Sequence, residues 1–383
     1  MTFRTLLLSA AMIGTSTAAC ADIGDTETIT GTDDVKLTAT HLETFDKPWA
    51  MAALPDGRSL VTEKEGAIWL LSAEGKKLGE VTGGPEVTER GQGGLGDIYV
   101  PADFEQSGEV YISYVERDAK DDSLSGAVVQ SATLTLTPTG GTLSDMNRVW
   151  TQSPKVQGNG HYGHRIGVSP DNYLFISSGE RQKFTPAQNM DMNLGKIIRL
   201  NRDGSIPEDN PFVENGGVAA QIWTLGHRNP LGLDFDADGQ LWVHEMGPKH
   251  GDELNKIVRS ENYGYPLVSN GDHYSGVEIP DHETMPIFEA PSVYWVPAIS
   301  PAGFSIYKGD VFADWKGDGF IGGLSSQALI RVDMDAEDGP AEAGRYEWGK
   351  RIREVESGVD GAIYVLEDEE GGRLMKLMPA AAE

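Results

Sequence analysis

The sequence predicts an all-β fold, a six-bladed β-propeller with four-stranded antiparallel blades, and three observations lead there. One turn-and-strand phrase recurs six times, glycine and proline punctuate the whole chain, and no long amphipathic helix pattern competes with the strands. The phrase is clearest in "LPDGRSLVTEKEGAIWLL" at 54–71: a turn at Asp56-Gly57, a strand, a second turn at Gly66 and another strand. It returns as "SPDNYLFISSGER" near 171, "DADGQLWVHEMGP" near 238 and "GVDGAIYVLEDEEGGRLMKL" near 360, and more loosely as "EQSGEVYISYV" near 108 and "WKGDGFIGGL" near 318. The turns fall about 40 to 80 residues apart, a spacing that suits four-stranded blades. The competing arrangement is a set of hairpins in stacked sheets unrelated by rotation.

Composition supports a folded chain. The 47 glycines and 20 prolines come without a low-complexity tract, so they mark turns rather than a linker. A hydrophobic fraction of 39% is enough for a core. Length would permit two or three domains, but a propeller runs long as one unit. The expected organisation is an export signal over 1–21, a linker over 22–36, a single propeller over 37–378 and a short tail over 379–383.

The first twenty residues, "MTFRTLLLSAAMIGTSTAAC", carry Arg4, an apolar stretch to about Ile13 and then small residues. That is too short for a lasting membrane span and reads as a removed export signal. Cys20 is the sole cysteine, so the mature protein has no disulfide within the chain. "TAAC" resembles a bacterial lipobox, which would give a lipid anchor through Cys20, although Thr17 departs from the usual leucine. Cleavage before Asp22 would instead leave a soluble protein. In both cases the expected location is exported and periplasmic. The formal charge of −28, from 31 basic and 59 acidic residues, repels polyanions and speaks against a nucleic-acid partner.

In a propeller, loops from distant parts of the chain gather at one end of the central channel. Five loops hold residues that solubility does not require: Gln92 in "RGQGGLGDIYV"; His161, His164 and Arg165 in "GNGHYGHRIGV"; Arg228 and Asn229 in "GHRNP"; Gly247, Pro248, Asp252 and Glu253 in "HEMGPKHGDELNKI"; and Arg351 and Arg353 in "GKRIREV". The two arginines, two positions apart, share a face if the segment is extended. Each loop has a plainer reading. The glycines around Gln92 lack the strand–helix context of a dinucleotide fingerprint. His161 and His164 have a metal-pair spacing without an evident third ligand. Arg351 and Arg353 have Glu347, Glu354 and Glu356 nearby as solvated partners.

The ordered set of "HxxxR" at His161, "GHRNP", "GPxxGDEL", "NYGYP", "PAGFSIYKGD" and "RIREV" runs from "PWAMAALPDG" to "GAIYVL". In this set the chain resembles the PQQ-dependent sugar dehydrogenases of the soluble glucose dehydrogenase and aldose sugar dehydrogenase type. The resemblance implies a six-bladed propeller that binds pyrroloquinoline quinone and calcium. His161 then matches the general base that takes the proton of the anomeric hydroxyl while hydride leaves the same carbon, a task suited to a group titrating near neutrality. Arg228 and Asn229 match the pair beside the reactive quinone edge, where a guanidinium stabilises developing negative charge. Gln92, Tyr274, Arg351 and Arg353 match cofactor-holding positions, the arginines suiting its carboxylates. The carbonyls of Gly247 and Pro248 match ligands of the cofactor-bound calcium, and Glu253 with the Tyr263 carbonyl match a second, structural calcium site.

Two departures stand out. Where glucose-oxidising members place a lysine against the cofactor, this sequence has Ser325, removing one cation. Gly160 precedes the base where those members have an aspartate, as in the broader aldose branch. The expected activity is oxidation of an aldose at the anomeric carbon to the lactone, with electrons passed to an external acceptor. The alternatives are a propeller that binds sugar or calcium without redox chemistry, and a calcium-dependent lactonase on the same architecture.

Overall fold

The computed structural model describes residues 22–381. The segment 1–21 expected as an export signal, Cys20 included, lies outside the described residues. Six blades follow in chain order around a central axis. The inner strand of each blade comes first: Pro48–Ala53, Leu95–Tyr99, Gly163–Val168, Pro230–Phe235, Pro301–Ile306 and Ile352–Ser357. Each inner strand packs against the next, and the sixth packs against the first, which closes the ring. The third, fourth and fifth blades are separate four-stranded antiparallel sheets. The first two are joined at their rims by a short parallel pairing of Lys77–Thr82 with Gly140–Thr151. The expected six-bladed propeller is the fold.

The six recurring phrases are the second strands. Ser59–Glu63, Glu109–Arg117, Tyr173–Ser178, Leu241–Glu245, Gly319–Gly323 and Ile363–Glu367 each return antiparallel from the inner strand after the Asp/Gly turn. These strands are apolar on both faces because a blade is covered on both sides. Neighbouring residues therefore enter different cores. Leu60 packs between the first and second blades and Val61 between the sixth and first; Leu174 and Phe175, then Phe320 and Ile321, divide in the same way. The core is accordingly six slabs between blades, with Trp49, Ala50 and Leu231 meeting across the channel.

The ring is fastened by the chain ends. Lys36–Asp46 pairs antiparallel with Glu370–Pro379 as the outer strand of the sixth blade. Residues 22–36, expected as a linker, instead contain the strand Thr26–Thr30, which pairs with Lys36–Thr40 and gives this blade a fifth strand. The C-terminal tail is also shorter than expected, since Ala380 still bonds Lys36.

Candidate active site

Entries into the inner strands and exits from the second strands lie at the same end of the channel. A cavity of about 660 Å³ opens there, lined by Gln92, Tyr162, Met246, Arg351, Arg353 and Asp368 among others. A second cavity of about 720 Å³ lies at the far ends of the inner strands, among Asp97, Asp234, Glu354, Glu356, Arg165 and Lys308. The first is the candidate site although it is slightly smaller, because it adjoins the loops that the sequence singled out.

His161 sits on the entry to the third inner strand, with its backbone in the left-handed region at φ 52°. Such a backbone is disfavoured for a side chain this bulky and persists only when the surroundings impose it. Gln92 Oε1 accepts the His161 N–H at 2.6 Å, and Arg181 donates its N–H to the His161 carbonyl at 3.2 Å. Gly179 makes room, since a Cβ there would lie 2.2 Å from that carbonyl oxygen.

The imidazole is oriented by Glu180, which follows the second strand of the same blade. Glu180 Oε1 lies 2.5 Å from His161 Nδ1, and Oε2 accepts backbone N–H groups of Lys183 and Phe184, the latter at 2.7 Å. Burial pushes the Glu180 carboxyl upward, but the His161 hydrogen bond and charge, the Phe184 N–H and the Arg228 charge outweigh it and hold it below the usual range. For His161 the balance runs the other way. Burial lowers its pKa more than Glu180 raises it, and the Arg228 charge lowers it further. The pair is thus a neutral imidazole beside a carboxylate. An ionised carboxylate only accepts, so Nδ1 carries the proton and Nε2 is the free lone pair. Nε2 has no hydrogen-bond partner among the described residues and is not sealed from solvent.

Arg228 is buried beside this pair. Its N–H donates to Glu245 Oε2 at 2.5 Å, and its Nη1 donates to the Met246 carbonyl at 3.0 Å and to the Gly247 carbonyl. His227 Nδ1 lies 2.8 Å from Glu245 Oε1 and its ring stacks on Tyr263 at 4.7 Å, so His227 anchors the turn that aims Arg228. The rings of Tyr265 and Tyr274 stand 5.9 and 6.0 Å from the guanidinium carbon, and Tyr274, 76% exposed, forms the outer rim. Arg228 Nε and Asn229 Oδ1 are sealed from solvent without a partner. Unmet buried groups of this kind cost about 1–3 kcal/mol each, and a polar ligand is one way to meet them.

Arg351 and Arg353 do share a face, and their partner is none of the acids anticipated. Both Nε atoms donate to Asp368, at 2.8 and 2.9 Å. Burial raises the Asp368 carboxyl, and the two arginines more than reverse this. Their Nη groups make no hydrogen bond among the described residues and are open to a ligand carboxylate. Ser325 is not part of this cluster: it is exposed, its Oγ donates to the Ala298 carbonyl at 3.4 Å, and its neighbour Leu324 lines the cavity instead. His164 is a packed core group, stacked on Trp49 at 5.0 Å with Nδ1 2.7 Å from Ser113 Oγ, and burial lowers its pKa to about 3. Arg165 spans Asp97 and Glu354 inside the channel.

Of the cation ligands matched, the Gly247 carbonyl spends one lone pair on Arg228 and keeps the other, and Pro248 is buried beside it. Among the described residues no group of three or more His, Cys, Asp or Glu side chains is placed to hold a metal. Glu253 and Glu245 nevertheless face each other across strands, both buried, with Asn255 Nδ2 bonded to each at 3.3 and 3.2 Å. Burial and Glu245 drive the Glu253 carboxyl well above its usual range. Asn255 Oδ1 is sealed without a partner, and the Tyr263 carbonyl lies 3.2 Å from His282 Nε2. Two carboxylates, an orphaned amide oxygen and a carbonyl make an oxygen-donor set that fits a hard cation.

Glu180, Glu245, Asp368 and Lys64 are site residues that motif reading missed. All but Glu245, which ends its strand, lie just beyond a second strand, and that place in the repeat is the signal that could have found them.

The family model described as Glucose / Sorbosone dehydrogenase matches residues 45–376. The aldose sugar dehydrogenase YliI of Escherichia coli (strain K12) is 37% identical over 341 residues, covering 88% of this chain and 91% of the relative. The crystal structure of the soluble aldose sugar dehydrogenase from Escherichia coli, in the apo form, superposes with a TM-score of 0.85 at 36% identity, over 90% of this chain and all of the other. The PQQ-bound aldose sugar dehydrogenase from Streptomyces coelicolor gives a TM-score of 0.71 at 25% identity, over 90% of this chain and 98% of the other.

Proposed function

The chain belongs to the glucose/sorbosone dehydrogenase family, and from that premise we propose that it oxidises aldoses at the anomeric carbon to the lactone, with pyrroloquinoline quinone and calcium as cofactors. The observation that carries this reading is a neutral His161 whose Nε2 is free, held by Glu180 beside the buried Arg228. Gln92, Arg228, Asn229, Tyr274, Arg351 and Arg353 would hold the quinone, Gly247 and Pro248 its calcium, and Glu253 with Tyr263 a second calcium. When bound, the quinone would supply the two-electron acceptor that the side chains of this chain lack.

The chain's own groups then divide the work. His161 Nε2 takes the proton of the anomeric hydroxyl, and the positive charge left on the ring is met by Glu180 through Nδ1. Arg228 offers a fixed cation at the place where negative charge develops. Gln92 holds the backbone of His161, so the base keeps its aim. The Arg351 and Arg353 Nη groups bind carboxylate at the opposite wall. Electrons leave to an external acceptor, and the mature chain works in the periplasm, either soluble or anchored through Cys20.

The test is reconstitution. Apo-protein given quinone and calcium is expected to oxidise aldoses with an artificial dye and to retain quinone absorbance after desalting. His161→Gln is expected to keep the quinone and lose turnover. Absence of both dye reduction and retained absorbance in the unmutated protein would refute the reading.

A further inference from the structure

Lys64 follows the second strand of the first blade, Ser59–Glu63, and lines the same cavity as Gln92, Arg351 and Arg353. Its ammonium donates to the Gly91 carbonyl at 2.8 Å and forms no ion pair among the described residues. Burial lowers its pKa, and so does the charge of Arg353, while Glu89 and Asp368 only partly offset them. Lys47, on the same wall, is spent on Glu65 and Glu89. The buried carboxylate at the site, Asp368, is already engaged by the Nε atoms of both arginines, and its neighbour Glu369 is largely exposed at the rim. The cavity thus also holds the acids Glu89, Asp368, Glu369 and Glu370, yet of the three cations Lys64, Arg351 and Arg353 it is Lys64 that has no ion pair among the described residues.

Like charges gathered in a partly buried place raise one another's energy unless an anion joins them. The Lys64 ammonium is held by one neutral acceptor, a bond that a carboxylate would replace with a stronger, charge-assisted one. A long flexible stem lets it make that exchange without moving the backbone. We propose that Lys64 is a further cofactor-binding cation, which takes a carboxylate of the quinone alongside Arg351 and Arg353. This rests on the quinoprotein reading above.

The experiment measures equilibrium binding of pyrroloquinoline quinone to calcium-loaded apo-protein, by dialysis and absorbance, for the unmutated chain, Lys64→Gln and Lys64→Arg. Loss of a charge-assisted bond is expected to weaken binding by about tenfold or more in Lys64→Gln, with Lys64→Arg recovering most of it. The three apo-proteins are expected to melt at the same temperature. Equal binding by Lys64→Gln and the unmutated chain overturns the inference, as does weakening in both variants or a lower melting temperature for Lys64→Gln, since either marks a brace for the Gly91 loop. Failure of the unmutated chain to bind quinone overturns the quinoprotein reading instead.

Discussion

Glu180→Gln isolates the contribution of a side chain that touches no substrate. In the structure Glu180 accepts at both oxygens: Nδ1–H of His161 on one, and the Lys183 and Phe184 N–H groups on the other. An amide has one oxygen, so its NH2 must face either the imidazole N–H or the two backbone N–H groups. Even in the better orientation, a charge-assisted bond to the forming imidazolium becomes a neutral one. The difference is about 1–2 kcal/mol, or about 5- to 30-fold in kcat. The pH profile separates this from general damage. Glu180 raises the pKa of His161 against burial, so its removal lowers that pKa. The rate depends on the neutral imidazole and rises with pH through the pKa, so the acid limb of the kcat/KM profile should move to lower pH while the plateau drops. The assay is dye-linked aldose oxidation by the reconstituted enzyme across pH. An acid limb that stays in place or moves up, or a plateau within about twofold of the unmutated enzyme, would refute the reasoning.

Two more outcomes follow from buried groups. His164 has its pKa lowered by burial from an unfolded value of about 6.5 to about 3, so on acidification the unfolded chain takes up a proton that the folded chain refuses. Stability from this group is present above the unfolded pKa and is lost as pH falls; between about pH 7 and about pH 5 the loss is about 2 kcal/mol. His164→Gln lacks this term, so its stability deficit against the unmutated chain should shrink by about that much in denaturant titrations, and parallel curves would contradict the assignment. At the facing carboxylates, Glu253→Gln removes the repulsion with Glu245 and one candidate cation ligand together. Calcium should raise the melting temperature of the unmutated chain through binding to the folded state and leave Glu253→Gln unmoved, while Glu253→Gln without calcium should melt no lower than the unmutated apo-protein; a calcium-dependent rise of equal size in both would place the ion elsewhere.

The sequence disclosed the blades because their second strands carry two independent signals, an Asp/Gly turn and apolar residues on both faces. Leu60 and Val61 are adjacent in the chain and belong to different cores, a pattern that only a strand covered on both sides needs. Thr26–Thr30 was invisible for the opposite reason. Its residues are almost all exposed, "TETIT" carries little apolar alternation, and the strand forms by pairing with Lys36–Thr40 at the rim of a blade that is already complete. The site showed the same division. His161, Arg228, Arg351 and Arg353 were legible as polar loops richer than a turn requires. Their partners were not, because Glu180 and Asp368 look like ordinary surface acids until the fold buries them.

The placement of those partners has a regularity that bears on the ligand. In the third blade the exit residue Glu180 holds the entry residue His161; in the fourth, Glu245 and Gly247 hold Arg228; in the sixth, Asp368 holds Arg351 and Arg353. Each of these blades joins its strand entry to its own strand exit by a charge-assisted bond. The fifth blade offers Ser300 and Ser325 and is neutral. The first blade breaks the pattern, because its entry residue Lys47 and its exit residue Lys64 are both cations. Lys47 pairs with Glu65 and with Glu89, which also lines the cavity, whereas Lys64 reaches across to a carbonyl of the next blade's loop. Among the described residues Lys64 is therefore the strand-end cation of the first blade left without an ion pair, and it lines the same cavity as Arg351 and Arg353. A ligand bearing several carboxylates would reach Lys64 together with the two arginines. A neutral sugar alone would leave Lys64 without an ion pair, so its position favours an anionic cofactor beside the substrate over a propeller that only binds sugar.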